Sequence, residues 1–169
     1  LRRPSNRLVL PPAQRRTLSF REDIAPLLQK HCASADCHGG GTTPLQLPLP
    51  ADRSADRDLE KAFAALLIPA RRPVSRPESP PQPGRYVDPG RARTSHLVWR
   101  LTGEDTSRPW DHPEPPASTP PRKIRPMPPP GSGAPLSPVE LRTVIQWIDM
   151  GAQYATPPPN ADPAVTGIR

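Results

Sequence analysis

Cys32 and Cys37 are the only cysteines in the 169-residue chain, and His38 follows the second directly. Two thiols and an imidazole crowded into one short stretch point to something held there. One chemistry uses all three: covalent attachment of a haem, with a thioether from each cysteine to a vinyl group and His38 on the iron from one face. The usual attachment pattern has two residues between the cysteines, whereas Ala33-Ser34-Ala35-Asp36 stand here. These residues are small or turn-tolerant and are expected to bulge outward, while the direct step from Cys37 to His38 keeps the imidazole under the ring. Two other chemistries stay open. A Cys32–Cys37 disulfide would close a very short loop, stabilise little and leave His38 unexplained. A zinc site asks for four ligands, and no second Cys/His cluster of suitable spacing follows.

If His38 is one axial ligand, the other comes from elsewhere, and the candidates are Met127, Met150, His96, His112 and His31. His31 adjoins Cys32 and is expected on the His38 side of the ring. Met150 ends a regular helix and reads as core or surface. Met127 stands in Arg125-Pro126-Met127-Pro128-Pro129-Pro130, a thioether on a loop that prolines hold extended. Such a loop can bring a soft sulfur to iron without a helix behind it. His96 and His112 remain as a bis-histidine alternative.

Four helices are expected to position these groups. The first runs to about His31, with Ser19 or Asp23 as its N-cap; Pro26 favours the Asp23 start, since proline in a first turn loses no hydrogen bond. Its Ile24, Leu27 and Leu28 form an apolar stripe that delivers the chain to Cys32. After His38, three glycines allow a sharp turn, and Leu45, Leu47 and Leu49 alternate with polar and proline residues as an extended apolar strip. The second helix spans Asp52 to Ile68. The third follows a Thr94 or Ser95 cap through His96, Leu97, Val98, Trp99 and Leu101 to Gly103. The last is the best marked: Ser137-Pro138-Val139-Glu140 has a cap, a first-position proline and the capping-box glutamate. Leu141, Val144, Ile145 and Ile148 form its stripe, Trp147 flanks it and Gly151 stops it.

Thirty prolines, 34% apolar residues and 4% aromatics leave little material for a core, so a buried cofactor would supply missing apolar mass. The net charge of +7 comes from 23 Lys and Arg against 16 acidic residues. The arginines are scattered among prolines without the interleaved aromatics of a nucleic-acid surface, which argues against nucleic acid. An anionic partner surface, a membrane headgroup layer or haem propionates suit them better. No apolar run approaches a transmembrane span. Leu1 is not an initiator Met, so an export or anchor segment is expected to have preceded it. The expected organisation is an extended arm over residues 1–18, a haem domain over 19–154 with proline-rich insertions near 69–85 and 104–135, and a tail over 155–169.

Several segments in order carry a family resemblance: Phe20 to Leu28 leading into Cys32, Cys37 and His38; Tyr86-Val87-Asp88-Pro89-Gly90 with Ser95-His96-Leu97; Met127-Pro128-Pro129; and Leu136 to Leu141 with Trp147 to Ala152. Together, from about Ser19 to Ala152, they resemble the monohaem cytochrome c domains of bacterial envelope proteins, including the planctomycete-type group. The resemblance implies an all-α fold around one c-type haem, thioethers at Cys32 and Cys37, His38 proximal and Met127 distal. It also implies export, giving a periplasmic or extracytoplasmic chain, soluble or membrane-anchored. The four-residue Cys–Cys gap, the Pro69–Pro83 insertion and the Pro109–Pro121 segment depart from the family pattern.

The expected function is electron transfer with His/Met ligation, as a carrier rather than an enzyme, docked on a redox protein or a larger membrane redox complex. The competing function is a haem enzyme or gas sensor with Met127 off the iron and His96, His112 and Arg125 around an open distal site. A third reading without haem is a loop-rich interaction protein with one disulfide.

Overall fold

A computed structural model describes residues 17–40, 43, 45–49, 56–68, 85–111 and 124–155. The expected N-terminal arm to residue 16, the 69–84 insertion, the 112–123 segment with His112 and the tail beyond residue 155 lie outside the described residues. Among the described residues there are four α-helices and no strand: α1 (Ala25–Cys32), α2 (Asp56–Leu67), α3 (His96–Thr102) and α4 (Pro138–Asp149). The all-α expectation holds.

The first helix departs from its expected start. Ser19, not Asp23, is the cap: its Oγ accepts from the Glu22 N–H at 3.2 Å, and its own N–H donates to Asp23 Oδ2 at 2.8 Å. Phe20–Ile24 then make one wide π turn, closed by the Ala25 N–H on the Phe20 carbonyl, before α1 begins. Pro26 accounts for the widening. It has no N–H to give, and its ring would crowd the carbonyl four residues back in a regular helix. The stripe survives the irregular turn, and Ile24 and Leu28 are fully buried.

The core is centred on α4. Val144, Trp147 and Ile148 are fully buried, so Trp147 is not a flanking residue as the stripe suggested but the largest side chain inside. Phe20 and Phe63 pack near it, at ring-centroid separations of 5.9 and 6.5 Å. Tyr154 closes the cluster at 5.2 Å from Phe63. Offset and tilted contacts of this kind suit the ring quadrupoles and add about 0.5–1.5 kcal/mol per pair beyond burial. The Trp147 indole N–H donates to the Gln153 carbonyl at 2.9 Å. Beside it, the Phe20 and Arg21 N–H groups donate to the carbonyls of Gln153 and Tyr154, at 2.8 and 3.0 Å. The segment entering α1 is thereby clasped to the one leaving α4.

The α4 signals act as expected. Ser137 and Glu140 form a complete capping box with Pro138 in the first turn. At the far end Gly151 has φ +96°, and the Gly151 and Ala152 N–H groups cap the carbonyls of Ile148 and Trp147, both at 2.9 Å. That is a Schellman ending, and the positive φ is the reason for glycine there. In α3 the cap differs. Ser95 precedes the helix, but its hydroxyl makes no cap bond. Instead it is buried, accepts from the Asp88 N–H at 2.9 Å and donates to the Arg91 carbonyl at 3.0 Å. It fastens the Asp88–Arg91 turn. Gly103, at φ +76°, ends α3 as expected.

Helix α2 is described over Asp56–Leu67 and faces inward through Leu59, Ala62 and Leu66; the expected start at Asp52 lies outside the described residues. The Leu66 carbonyl accepts from both Tyr86 (3.0 Å) and Val87 (2.9 Å), which docks the returning chain on the end of α2. No helix among the described residues is long and apolar enough to cross a membrane.

Candidate functional site

The segment between the two cysteines is a closed turn stacked on the end of α1. The Cys37 and Gly39 N–H groups both donate to the Ser34 carbonyl at 3.0 Å, and the His38 N–H donates to the Cys32 carbonyl at 3.1 Å. Ser34, Ala35 and Asp36 are exposed and bulge outward, while Ala33 packs against the core and Cys37 returns beside Cys32. The two glycines that follow are tightly enclosed. A Cβ at Gly39 would collide with the Ala33 carbonyl oxygen, and one at Gly40 with that of Ala35. The glycines thus let the chain pass close over its own turn.

Both cysteines are free thiols. Burial, and secondarily the neighbouring Cys37, pushes the Cys32 thiol up to about 11, so it stays protonated at neutral pH. His38 is held by its inner nitrogen. Nδ1 lies 3.0 Å from the Leu45 carbonyl oxygen and 3.1 Å from Thr43 Oγ1. A carbonyl can only accept, so Nδ1 carries the proton and Nε2 keeps its lone pair for a metal. The Leu45–Leu49 strip is tied back by the Leu47 N–H on the His38 carbonyl at 2.8 Å, with Leu45 and Leu47 buried.

Met127, remote in sequence, faces the same place. A cleft of about 140 Å³ is lined by His31, Cys32, Asp36, Cys37, His38 and Thr43 together with Met127, Pro128 and Pro129. The Met127 N–H donates to the Arg100 carbonyl at 2.7 Å, so the end of α3 positions the loop. A c-type haem asks for two thiols, an imidazole with a free nitrogen and a soft ligand opposite, and these four side chains offer that donor set. Sites that enclose a small molecule measure about 300–1,000 Å³, so the walls of this cleft must part to admit a porphyrin.

The other ligand candidates among the described residues are placed elsewhere or occupied. Although His31 lines the cleft, its Nδ1 lies 2.9 Å from the Ala134 carbonyl and its Nε2 3.2 Å from Glu140 Oε1. Both nitrogens are thereby spent on linking α1 to the start of α4. Glu140 also takes Lys30 Nζ at 3.0 Å. Its carboxyl is held well below the usual carboxylate range, first by the Ser137 backbone N–H, then by Lys30, the Ser137 hydroxyl and His31. His96 is buried between Tyr86 (5.8 Å) and Trp99 (5.9 Å) and is not among the cleft residues. Its Nδ1 is buried without a hydrogen-bond partner. Met150 is exposed at the end of α4. Sequence reasoning missed Thr43 and the Leu45 carbonyl. A backbone acceptor leaves no residue-type signal; the hydroxyl five positions after His38 was the readable clue.

A second, wider cleft of about 470 Å³ lies among Gly90–Thr94, Trp110, Asp111 and Asp149. Its charged groups are mostly paired within the chain. Arg93 makes two 2.7 Å bonds to Asp111, and Asp149 Oδ1 accepts from the Ala92 N–H at 2.9 Å. No thiol, imidazole or thioether lines it, so the smaller cleft is the candidate site.

Comparison with known proteins relates the chain to part of an enzyme subunit. No protein-family model matches the chain. The chain is 32% identical over 151 residues to hydrazine synthase subunit alpha of Kuenenia stuttgartiensis, a match that covers 83% of this chain and 16% of that protein. A solved structure of Kuenenia stuttgartiensis hydrazine synthase is similar at 30% identity over 85% of this chain and 17% of the solved chain, with a TM-score of 0.46. The chain therefore spans about a sixth of the curated relative it matches. The expectation of a carrier that is not an enzyme is corrected by this match, because the relative is a subunit of a synthase. Thiols and imidazoles can indicate how a group would be held, and say nothing of what a larger protein catalyses. The chain is similar to one segment of an enzyme subunit, and in this chain two thiols, an imidazole and a thioether line one cleft.

Proposed function

We propose that the chain holds one c-type haem through thioethers to Cys32 and Cys37, with His38 and Met127 as axial ligands, and that it moves electrons inside an enzyme assembly related to hydrazine synthase. The observation that carries the reading is the convergence of Met127 with Cys32, Cys37 and His38 on one cleft. When bound, the haem supplies a one-electron couple, and His/Met ligation sets it at a raised potential with no open position.

The chain's own residues do the rest. Cys32 and Cys37 would hold the porphyrin through their sulfurs. His38, held by the Leu45 carbonyl, would offer Nε2 to the iron. The Arg100 carbonyl anchors the loop whose Met127 would supply the second ligand. Leu45 and Leu47 exclude water from the His38 side. The partner in this reading is another polypeptide of the assembly. In the same reading the chain works outside the bacterial cytoplasm, where thioether attachment is made, with or without a membrane anchor.

Denaturing the purified protein and recording its pyridine haemochrome tests the attachment, since only a thioether-bound haem stays with the chain. A reduced low-spin spectrum in the native protein tests the ligand pair. The similarity to an enzyme subunit keeps a second reading in view, in which Met127 stands off and the distal face takes a substrate. A five-coordinate high-spin iron in the native protein would favour that reading over electron transfer.

A further inference from the structure

We infer that Thr43 is a positioning residue that tunes the electron-donating strength of His38 by competing for the Leu45 carbonyl. The inference rests on the haem reading above and deepens it.

Three distances define the arrangement. The His38 Nδ1–H points at the Leu45 carbonyl oxygen at 3.0 Å. Thr43 Oγ1 donates to the same oxygen at 2.7 Å. The hydroxyl also stands 3.1 Å from Nδ1 and 3.5 Å from the Cys37 carbonyl. A hydroxyl has one proton, and the shortest contact takes it, so the Leu45 oxygen is shared between two donors. The Gln46 side-chain amide donates to the Thr43 carbonyl and holds the residue in this register.

A metal-bound imidazole becomes a stronger donor as its outer N–H is held more tightly by an acceptor. Two donors on one carbonyl oxygen weaken each other, because each draws on the same electron density. The Thr43 hydroxyl therefore loosens the hold on the His38 N–H and reduces the push of the imidazole on a bound metal. A weaker push favours the reduced state of an iron, so Thr43 raises the potential above what the carbonyl alone would set. Deleting the hydroxyl removes the more distant of two oxygens around the His38 N–H, at 3.1 Å, and returns the nearer Leu45 oxygen, at 3.0 Å, wholly to His38.

Potentiometric titration of the haem-loaded full chain tests this in three proteins: unaltered, Thr43→Val and Thr43→Ser. Thr43→Val is expected to shift the potential downward with the low-spin optical spectrum unchanged, and Thr43→Ser to stay with the unaltered protein. A Thr43→Val potential equal to or above the unaltered one overturns the role of Thr43 and leaves the haem reading standing. Absence of covalent haem from the unaltered protein overturns that reading, and this inference with it. Thr43→Ala is a second deletion of the hydroxyl; if both deletions fail to take up haem while Thr43→Ser succeeds, Thr43 is a loop-building residue and the tuning role is overturned.

Discussion

Met127 hangs from α3: its backbone N–H donates to the Arg100 carbonyl at 2.7 Å, and the Arg100 guanidinium donates to the Arg125 carbonyl at 3.2 Å. The stiffness of the surrounding prolines is thus supplemented by two bonds to a helix. Met127→Ala removes the sulfur and keeps both bonds. Haem should remain attached, the low-spin spectrum should give way to a high-spin one, and the potential should fall because the thioether no longer favours the reduced iron. An unchanged spectrum would show that Met127 does not reach the iron.

The two thiols should differ in reactivity before haem is attached. Cys32 is buried and its thiol is pushed up to about 11, whereas Cys37 is half-buried. Since the thiolate is the nucleophile, an alkylating reagent applied to the haem-free chain near pH 8 should modify Cys37 well before Cys32. Peptide mapping after timed quenching reads the order. Equal rates would mean that the end of α1 is open.

Trp147 fills the centre of the core with no exposed surface. Trp147→Ala should cost about 3–5 kcal/mol, and small domains have about 5–15 kcal/mol in all. Urea denaturation monitored by helical circular dichroism should show a greatly lowered midpoint or no folded baseline. By contrast, Ser137→Ala removes one half of the α4 capping box and should cost about 1 kcal/mol. Similar losses from the two substitutions would be inconsistent with a core centred on α4.

Those elements also show what the sequence could and could not tell. The α4 cap and stop are chemical signals local to the chain, so Ser137, Pro138, Glu140 and Gly151 could be read directly. Trp147 read as a flank because a helical wheel gives a face and not its depth; depth came from Phe20, Phe63 and Tyr154, which arrive from three other segments. Pro26 stands in the first turn of α1, as its missing N–H asks, but the wide turn that Ser19 and Asp23 hold in front of it has no signal in residue types. At the cleft, Cys32, Cys37 and His38 were legible as neighbours and Met127 by its unusual loop. The pairing of Thr43 with the Leu45 carbonyl depends on how the chain turns after Gly40, which residue types do not specify.

His96 gives the fold a weakness in acid. Burial, and then the Arg100 charge, lower its pKa below the ordinary 6.5. The unfolded chain therefore binds the proton first as pH falls, and stability that is full above about 6.5 declines as pH drops through the lower folded value. His96→Phe keeps a ring against Tyr86 and removes both the titration and the unpartnered Nδ1. The urea midpoint of this variant should be flatter between pH 7 and 5 than that of the unaltered protein, using a pH grid chosen around the ordinary histidine value. Glu140 titrates in a separate window. Its lowered value makes its stabilising contribution fade only below about 4.5, the ordinary carboxylate value. Coincident acid limbs for the two proteins would assign the sensitivity to another group.

The clasp between Phe20–Arg21 and Gln153–Tyr154 brings the way in and the way out of the folded unit side by side. Adjacent ends let a domain be spliced into a longer polypeptide as a bead on a loop, with the flanking chain leaving nearly where it arrived. A unit closed this way can be carried between longer chains without rebuilding its cleft, because its core is sealed by its own two edges.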